Sequence, residues 1–448
     1  MFDLSRAEER CATLIALARR FGADAADAVA IGDMSESVHV RLGALEDVER
    51  SESESAGLRV FVGQRSASIH ATDLSDDALA ELAERAVAMA KAAPEDRFAG
   101  LAPEELLTRG PFPDLDMEDP AEPSPQQLRA MAEEAEDAAR AVDGVTNSEG
   151  GSAGFGRSIV ALATSHGFSG GYGATTHSLS ASVVAGTGSG MQRDYAWRQA
   201  RHAGDLISPA DIGRLAGERA VARLGPGRLP SKVMPLVFDP RVGNGLIGHL
   251  IGAMAGPAIA RRASFLLDRL DTALFDSSVH ILEEPHRVRG LRSRPFDGEG
   301  LATAPRALVE GGKVTGWLAD SASARQLGIA PTGHASRGGG GAPGVSASNV
   351  HLAAGSVTPE ELMADIGEGV LVTELFGHGV NAVTGDYSRG ASGYRIVDGA
   401  LAGPVAEFTI AGNLVDMFAA LVPANDLEMH RGINVPTLRI DGMTVAGD

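Results

Sequence analysis

Apolar residues recur with helical spacing over residues 4–21, where Leu4, Cys11, Leu14, Ile15 and Ala18 share one face. The period then drops to two. Val38, Val40 and Leu42 alternate with polar residues, Gly43 marks a turn, and Leu45 and Val48 resume the alternation. Leu58, Val60 and Val62 repeat it before a second turn at Gly63-Gln64, with Ile69 beyond. A second helix follows Asp73, and its acidic first turn complements the helix dipole. The pattern predicts a helix, an antiparallel meander and a helix. A solvated sheet face accounts for the charges of LEDVERSESES without any ligand.

Residues 94–125 carry many Pro, Asp and Glu without periodicity, which predicts a linker or a surface wrap. A helix from about Pro125 to Val142 follows, with Ser124 as N-cap. Residues 145–205, rich in Ser, Thr and Gly, read as long antiparallel strands. A further helix (SPADIGRLAGERAVARL) runs to Gly225, and the Pro-Gly punctuation at 224–230 divides the chain into units 1–225 and 226–448. In the second unit a helix over 240–260 precedes mostly strand signals. Gly311-Gly312, Asp398-Gly399 and Asp441-Gly442, each flanked by alternating apolar residues, predict three hairpins.

Composition narrows the class. With 448 residues, 44% of them apolar, the chain can bury two or three cores. Its 56 glycines and 4% aromatic content suit close backbone packing rather than aromatic binding cages. The net charge of -20, concentrated in the first third, argues against nucleic acid, because phosphates need clustered Lys and Arg. The single cysteine, Cys11, excludes an internal disulfide or thiolate cluster, and its place on an apolar helix face predicts a buried thiol. No run approaches the roughly 18 apolar residues of a membrane span, and no signal-peptide core is present. A soluble, cytoplasmic chain is expected.

Several motifs fail on context. Gly-x-Ser-x-Gly occurs around Ser152 and Ser169, but a nucleophile elbow joins a strand to a helix, and neither match has a helix after it. Gly339, Gly341 and Gly344 satisfy Gly-x-Gly-x-x-Gly, yet Pro343 and the strand-like VSASNVHLA beyond deny the helix that would hold a pyrophosphate. A Walker A loop would need Gly at Ala307. His280, Glu283, Glu284 and His286 form the densest ligand-type cluster, but Pro285 breaks any helix presenting them, and a solvated strand end is expected.

The stretch Gly243–Leu267 combines a small-residue apolar helix start, a basic turn at Arg261-Arg262 and Ser264-Phe265-Leu266. With SVHVRLGALEDVERSESESAGLRVFVGQRSASIHATDLS near the amino terminus, and segments 289–300, 321–335, 372–394 and 407–418 in order, it resembles the TldE (PmbA) branch of the TldD/TldE metallopeptidase family. The likeness covers nearly the whole chain. It implies an α+β fold: an N-terminal α/β domain with an antiparallel sheet and helices, and a C-terminal domain with a curved, barrel-like β-sheet.

In the TldD branch the matching helix carries a His-Glu-x-x-x-His zinc motif. Aligned through Ser264, its positions fall on Ile247, Gly248 and Gly252, and the nearby His249 stands alone. The family's third ligand, a C-terminal Cys, has no counterpart in the shortened Asp426–Pro436 stretch. A zinc site takes three protein ligands and usually a carboxylate base, so no catalytic or metal residue is assigned here. The resemblance implies a TldD-like partner that carries the zinc and the base, a heterodimer whose chamber this chain completes, and unfolded or leader-type peptide substrates. A homodimer in isolation is the other assembly considered, and neither nucleic acid nor membrane is expected as a partner. Thr384, Asp386, Tyr387, Ser388 and Arg389, on a glycine-framed loop, are candidates to line a peptide channel; the simpler alternative is a tight turn with Asp386 and Arg389 paired. Two rival functions stand beside this one: a non-hydrolytic homodimer that binds peptides, and a peptidase using residues such as His280 and His286.

Overall fold

The computed structural model describes residues 3–447. Asp3 caps helix α1 (Leu4–Arg20) by accepting from Ser5 N at 3.0 Å, and the helix buries Ala7, Cys11, Leu14 and Ala18. Strands β1 (Ala25–Arg41), β2 (Ala44–Val62) and β3 (Arg65–Ala71) form the expected meander, followed by α2 (Asp76–Ala92). β1 starts well before its legible alternation. Ala26, Ala28, Val29 and Ala30 are buried on both faces, and the one polar residue among them, Asp27, is buried too, so no solvated position marks the period there. The hairpin tip leaves Leu42, Leu45 and Val48 exposed along with the charges around them.

Residues 93–124 wrap the surface, with Leu115 and Met117 buried against Ala174. Ser124 and Gln127 then form a capping box that opens α3 (Pro125–Arg140). Three long strands follow, β4 (Val145–Thr164), β5 (Ser169–Ala185) and β6 (Gln192–Ala200), and then α4 (Pro209–Ala222). The six strands make one antiparallel sheet in the order β3-β2-β1-β4-β5-β6. Ala26, Ala28, Ala30, Val38 and Val40, at alternate positions of β1, face the helices: α1 and α2 cover one half, α3 and α4 the other. Val29 points the opposite way and packs with Leu162 and Phe168 on Phe296 of the C-terminal half.

The C-terminal half contains β7 (Lys232–Phe238), α5 (Pro240–Ala253), α6 (Gly256–Ala260), β8 (Ile281–Glu283), β9 (Arg306–Glu310), β10 (Lys313–Val314) and α7 (Ser321–Leu327). Next come β11 (Ala335–Ser336), β12 (Gly344–Val345), β13 (Val350–Leu352), α8 (Pro359–Met363), β14 (Glu368–Val380), β15 (Asp386–Val397) and β16 (Ala400–Asn413). The chain ends with α9 (Leu414–Ala419), β17 (Leu421–Pro423), β18 (Ile433–Asn434) and β19 (Leu438–Ala446). Strands β16-β15-β14-β7-β19 form a sheet that the β16–β19 pairing closes into a five-stranded barrel, with β17 on its rim. A second sheet runs β10-β9-β8-β13-β18. The α+β architecture thus matches expectation.

Two local expectations fail. The helix over 240–260 is two helices, because Gly256 N bonds to Leu318 O at 2.6 Å and Pro257 has no N–H to continue the ladder. Asp441-Gly442 is not a hairpin turn. It is a bulge inside β19: Ile440 pairs with Leu236 and Met443 with Met234, so both flanks stay on β7 and the chain never reverses. Gly311-Gly312 and Asp398-Gly399 do join antiparallel strands. Among the described residues, no helix is long and apolar enough to cross a membrane.

A buried ionic group ties the two halves together. Asp27 on β1 pairs with Arg59 on β2 and with Arg337 from the C-terminal half, and Arg59 also reaches Glu299 at 3.4 Å. Burial works against the Asp27 charge, but the two guanidinium groups outweigh it and hold its pKa below the ordinary value.

Candidate functional site

Asp239 caps α5 by accepting from Arg241 N at 2.8 Å, and Pro240 occupies its first turn. The helix so started turns Ile247 fully into the core and leaves Gly252 exposed. Five residues at about 100° each place these two positions roughly 140° apart around the axis. A Cβ added to Gly248 would meet only Ile433 Cδ1, at 4.0 Å, from the 426–436 stretch. The helix and that stretch therefore lie side by side, but they bring together isoleucine and glycine instead of the N, S or carboxylate donors that zinc takes. These residues do not fit the metal. Among the described residues, no group of three or more His, Cys, Asp or Glu is placed to hold a metal ion.

Beside α5 lies a cavity of about 390 Å³, walled by β6, the C-terminal end of α4, α5, β14 and β15. Asp194 on β6 is 2% exposed, with its carboxylate 2.9 Å from Arg241 and 3.4 Å from Arg223. Arg223 continues to Glu374 at 2.5 Å, whose carboxylate also accepts from Ser392 at 3.1 Å. Thr373 is the extra residue of a bulge in β14: Val372 pairs with Gly393 and Glu374 with Ser392. Among the described residues its buried hydroxyl has no hydrogen-bond partner, and neither has Arg241 Nε, whose ion-pair contact with Asp239 is 3.7 Å long.

The far wall is aromatic and cationic. Tyr387 is 2% exposed, its phenol pushed up to about 12 by burial, and it meets His249 edge-on at 6.3 Å. Burial, and then the Arg389 charge, lower the His249 pKa, so the imidazole is neutral near pH 7. Arg389 Nε donates to Phe376 O at 3.0 Å, and among the described residues no carboxylate pairs with this guanidinium.

The candidate channel residues separate by strand alternation. Arg389 faces this cavity, Asp386 and Ser388 border a wider, open depression of about 540 Å³, Tyr387 touches both, and Thr384 lines neither. Asp386 does not pair with Arg389. It accepts from Thr384 Oγ1 at 2.6 Å and from Asn413 Nδ2 at 3.2 Å, because β15 begins at Asp386 and sends residues 386 and 389 to opposite faces. Asp194 and Thr373 went unnoticed in the sequence. Asp194 left a trace, a charged residue in alternating register with the buried Ala196.

The cluster at 280–286 is also not the solvated strand end expected of it. Glu283 is 2% exposed and bonds to His334 Nε2 at 2.7 Å and Ser348 N at 2.6 Å, since β8 runs through the middle of its sheet. Its pKa falls although burial opposes this, because the His334 and Ser348 contacts favour the anion. His286 instead meets Thr303 Oγ1 at 2.9 Å and His280 accepts weakly from Gly311 N at 3.4 Å, so the two imidazoles serve different loops. Ser152 lies within β4 and Ser169 opens β5, neither on a strand-to-helix elbow.

Comparison with known proteins bears on the fold and the family. Models of the PmbA/TldA metallopeptidase family match residues 26–90 (domain 1), 118–224 (central domain) and 231–447 (C-terminal domain). The chain is 40% identical over 413 residues to metalloprotease PmbA of Escherichia coli O157:H7, spanning 92% of this chain and 90% of that protein. It is 36% identical over 437 residues to a PmbA homologue of Haemophilus influenzae, spanning 97% and 94%. The crystal structure of TldE from Thermococcus kodakarensis shares the fold, with a TM-score of 0.87 at 20% identity over 98% of this chain and 100% of that one.

Proposed function

The chain belongs to the TldD/TldE metallopeptidase family, in its PmbA branch, and we propose that it is the metal-free subunit of a two-chain peptidase. A TldD-like partner supplies the zinc and the general base, and this chain completes the chamber that admits unfolded and leader-type peptides. The observation that carries the reading is helix α5, where Ile247, Gly248 and Gly252 occupy the motif positions and offer no metal donor. Lowering the pKa of a zinc-bound water toward neutrality requires the metal and an open coordination position. Thr384, Asp386, Tyr387, Ser388 and Arg389 are proposed to line the peptide path, in which recognition rests largely on backbone pairing with an extended chain.

The test mixes purified chains. Alone, this chain cleaves no unstructured peptide, with or without added zinc; combined with a TldD-like protein it confers an activity that neither shows alone. Replacing the partner's motif Glu abolishes that activity, whereas Tyr387→Ala or Arg389→Ala here at most raises KM. Zinc-dependent cleavage by the isolated chain, persisting after contaminating proteases are removed, overturns the reading.

A further inference from the structure

The cavity between β6 and α5 holds more polar chemistry than the chain itself satisfies. Thr373 Oγ1 and Arg241 Nε are buried without hydrogen-bond partners among the described residues, and both side chains line it. Tyr387 lines it too, and its hydroxyl makes no hydrogen bond among the described residues. Buried polar groups left unpaired are costly, and two of them converging on one cavity, beside the Tyr387 hydroxyl, mark a place built for an occupant.

The charges say what kind. Arg223 and Arg241 are neutralised by Asp194 and Glu374, and Arg193 pairs with Glu149 at 3.2 Å. Among the described residues Arg389 has no carboxylate partner, with its Nε on a backbone carbonyl and its terminal nitrogens placed to form a two-pronged contact. A lone positive charge on a chain of net charge -20 suits a monoanion that accepts several hydrogen bonds. A dianionic phosphate would leave one charge uncompensated. At about 390 Å³ the cavity has room for a residue or two of peptide, and Val242 and Leu375 give it apolar walls.

We propose that this cavity is a carboxylate subsite that receives the free C-terminus of a peptide, held by Arg389 together with Thr373, Arg241 and Tyr387. The assignment deepens the chamber reading and rests on it for the ligand being a peptide. Val372 and Glu374 hold the bulge that aims Thr373 inward, so the donor is in place before any ligand arrives.

The experiment measures binding of a fluorescein-labelled unstructured decapeptide to the full isolated chain by anisotropy, in three versions: free C-terminus, amidated C-terminus, and amidated with an internal Glu. The free acid binds, and amidation weakens it about tenfold or more, as loss of a charge-assisted contact does. Arg389→Gln weakens the free acid equally and erases the difference between acid and amide, while Arg389→Lys retains part of it. Thr373→Val, which removes the hydroxyl at nearly constant shape, weakens binding severalfold, with urea denaturation confirming the fold of each variant. Equal binding of acid and amide, no binding of either, or rescue of the amide by the internal Glu each overturn the C-terminal assignment. A partner mixture that remains active while amidation changes nothing would end this proposal and leave the two-chain reading standing. A chain that binds the acid yet never activates a TldD-like partner would do the reverse.

Discussion

Asp194 on β6 and Arg241 in the first turn of α5 meet at 2.9 Å in an almost fully buried contact that fastens the N-terminal sheet to the wall of the cavity. The same carboxylate lies 3.4 Å from Arg223, which follows α4, so one side chain holds three elements in place. Removing it would leave the buried Arg241 with only the 3.7 Å contact to Asp239, whereas Arg223 keeps Glu374 at 2.5 Å. Asp194→Ala is therefore expected to lower the unfolding free energy by about 3–5 kcal/mol, the usual cost of breaking a buried pair from one side. Urea denaturation measures this, and a loss below about 1 kcal/mol would show that water satisfies Arg241.

Asp297 sets a pH dependence. Burial, reinforced by Glu299, pushes its carboxyl up to about 7 against three backbone N–H donors. A raised folded pKa means that its stabilisation is present below the unfolded value of about 4 and is lost as pH rises to about 7. His430, held at about 4 by burial and nearby arginines, runs the opposite way in the same window. The difference between wild type and Asp297→Asn isolates the carboxyl. It should shift in the variant's favour by about 1.4 kcal/mol per pH unit between pH 4 and 7, then level off. A pH-independent difference in urea titrations would mean that Asp297 is ionised throughout.

Two glycines should respond oppositely to one methyl group. In Gly213→Ala the new Cβ would lie 2.0 Å from Ala135 O, where α4 presses on α3, and overpacking should cost about 1–3 kcal/mol despite better helix propensity. Gly252→Ala meets nothing within 4 Å and should stabilise α5 by up to about 1 kcal/mol. Thermal melts of the two variants should move in opposite directions.

Writing the motif back should not recreate the metal site. Ile247→His with Gly248→Glu and Gly252→His places one imidazole in the core and the other in solvent, with no cysteine from 426–436. The loss of Ile247 alone should cost about 2–5 kcal/mol. Stoichiometric zinc in elemental analysis of the folded variant would show that α5 can re-form the site.

His249→Ala should leave the peptidase activity of a partner mixture largely intact. Its ring is uncharged near neutral pH, makes no hydrogen bond among the described residues, and contributes an edge contact with Tyr387 worth about 1 kcal/mol at most. Activity lost with folding and assembly unchanged would give this imidazole a chemical role.

Local signals were legible where the local chain decides the outcome. Helix faces such as Leu4–Ala18, the Ser124 cap and the turns at Gly43 and Gly63 depend on side chains a few residues apart, and the structure has them as read. The missing metal ligands were equally plain, since a donor absent from positions 247, 248 and 252 cannot be supplied by folding.

Tertiary structure decided what the local pattern could not. Asp441-Gly442 has the composition of a hairpin turn, but β7 pairs with both flanks and turns it into a bulge. Glu283 has the composition of a solvent group, but β13 and His334 enclose it. The cavity is the furthest case: Asp194, Arg241, Thr373 and Arg389 come from four elements spread over nearly two hundred residues. Periodicity fixes which face a residue takes within its own element. Which face it then meets is set by barrel closure and sheet packing, through contacts between residues that are distant along the chain.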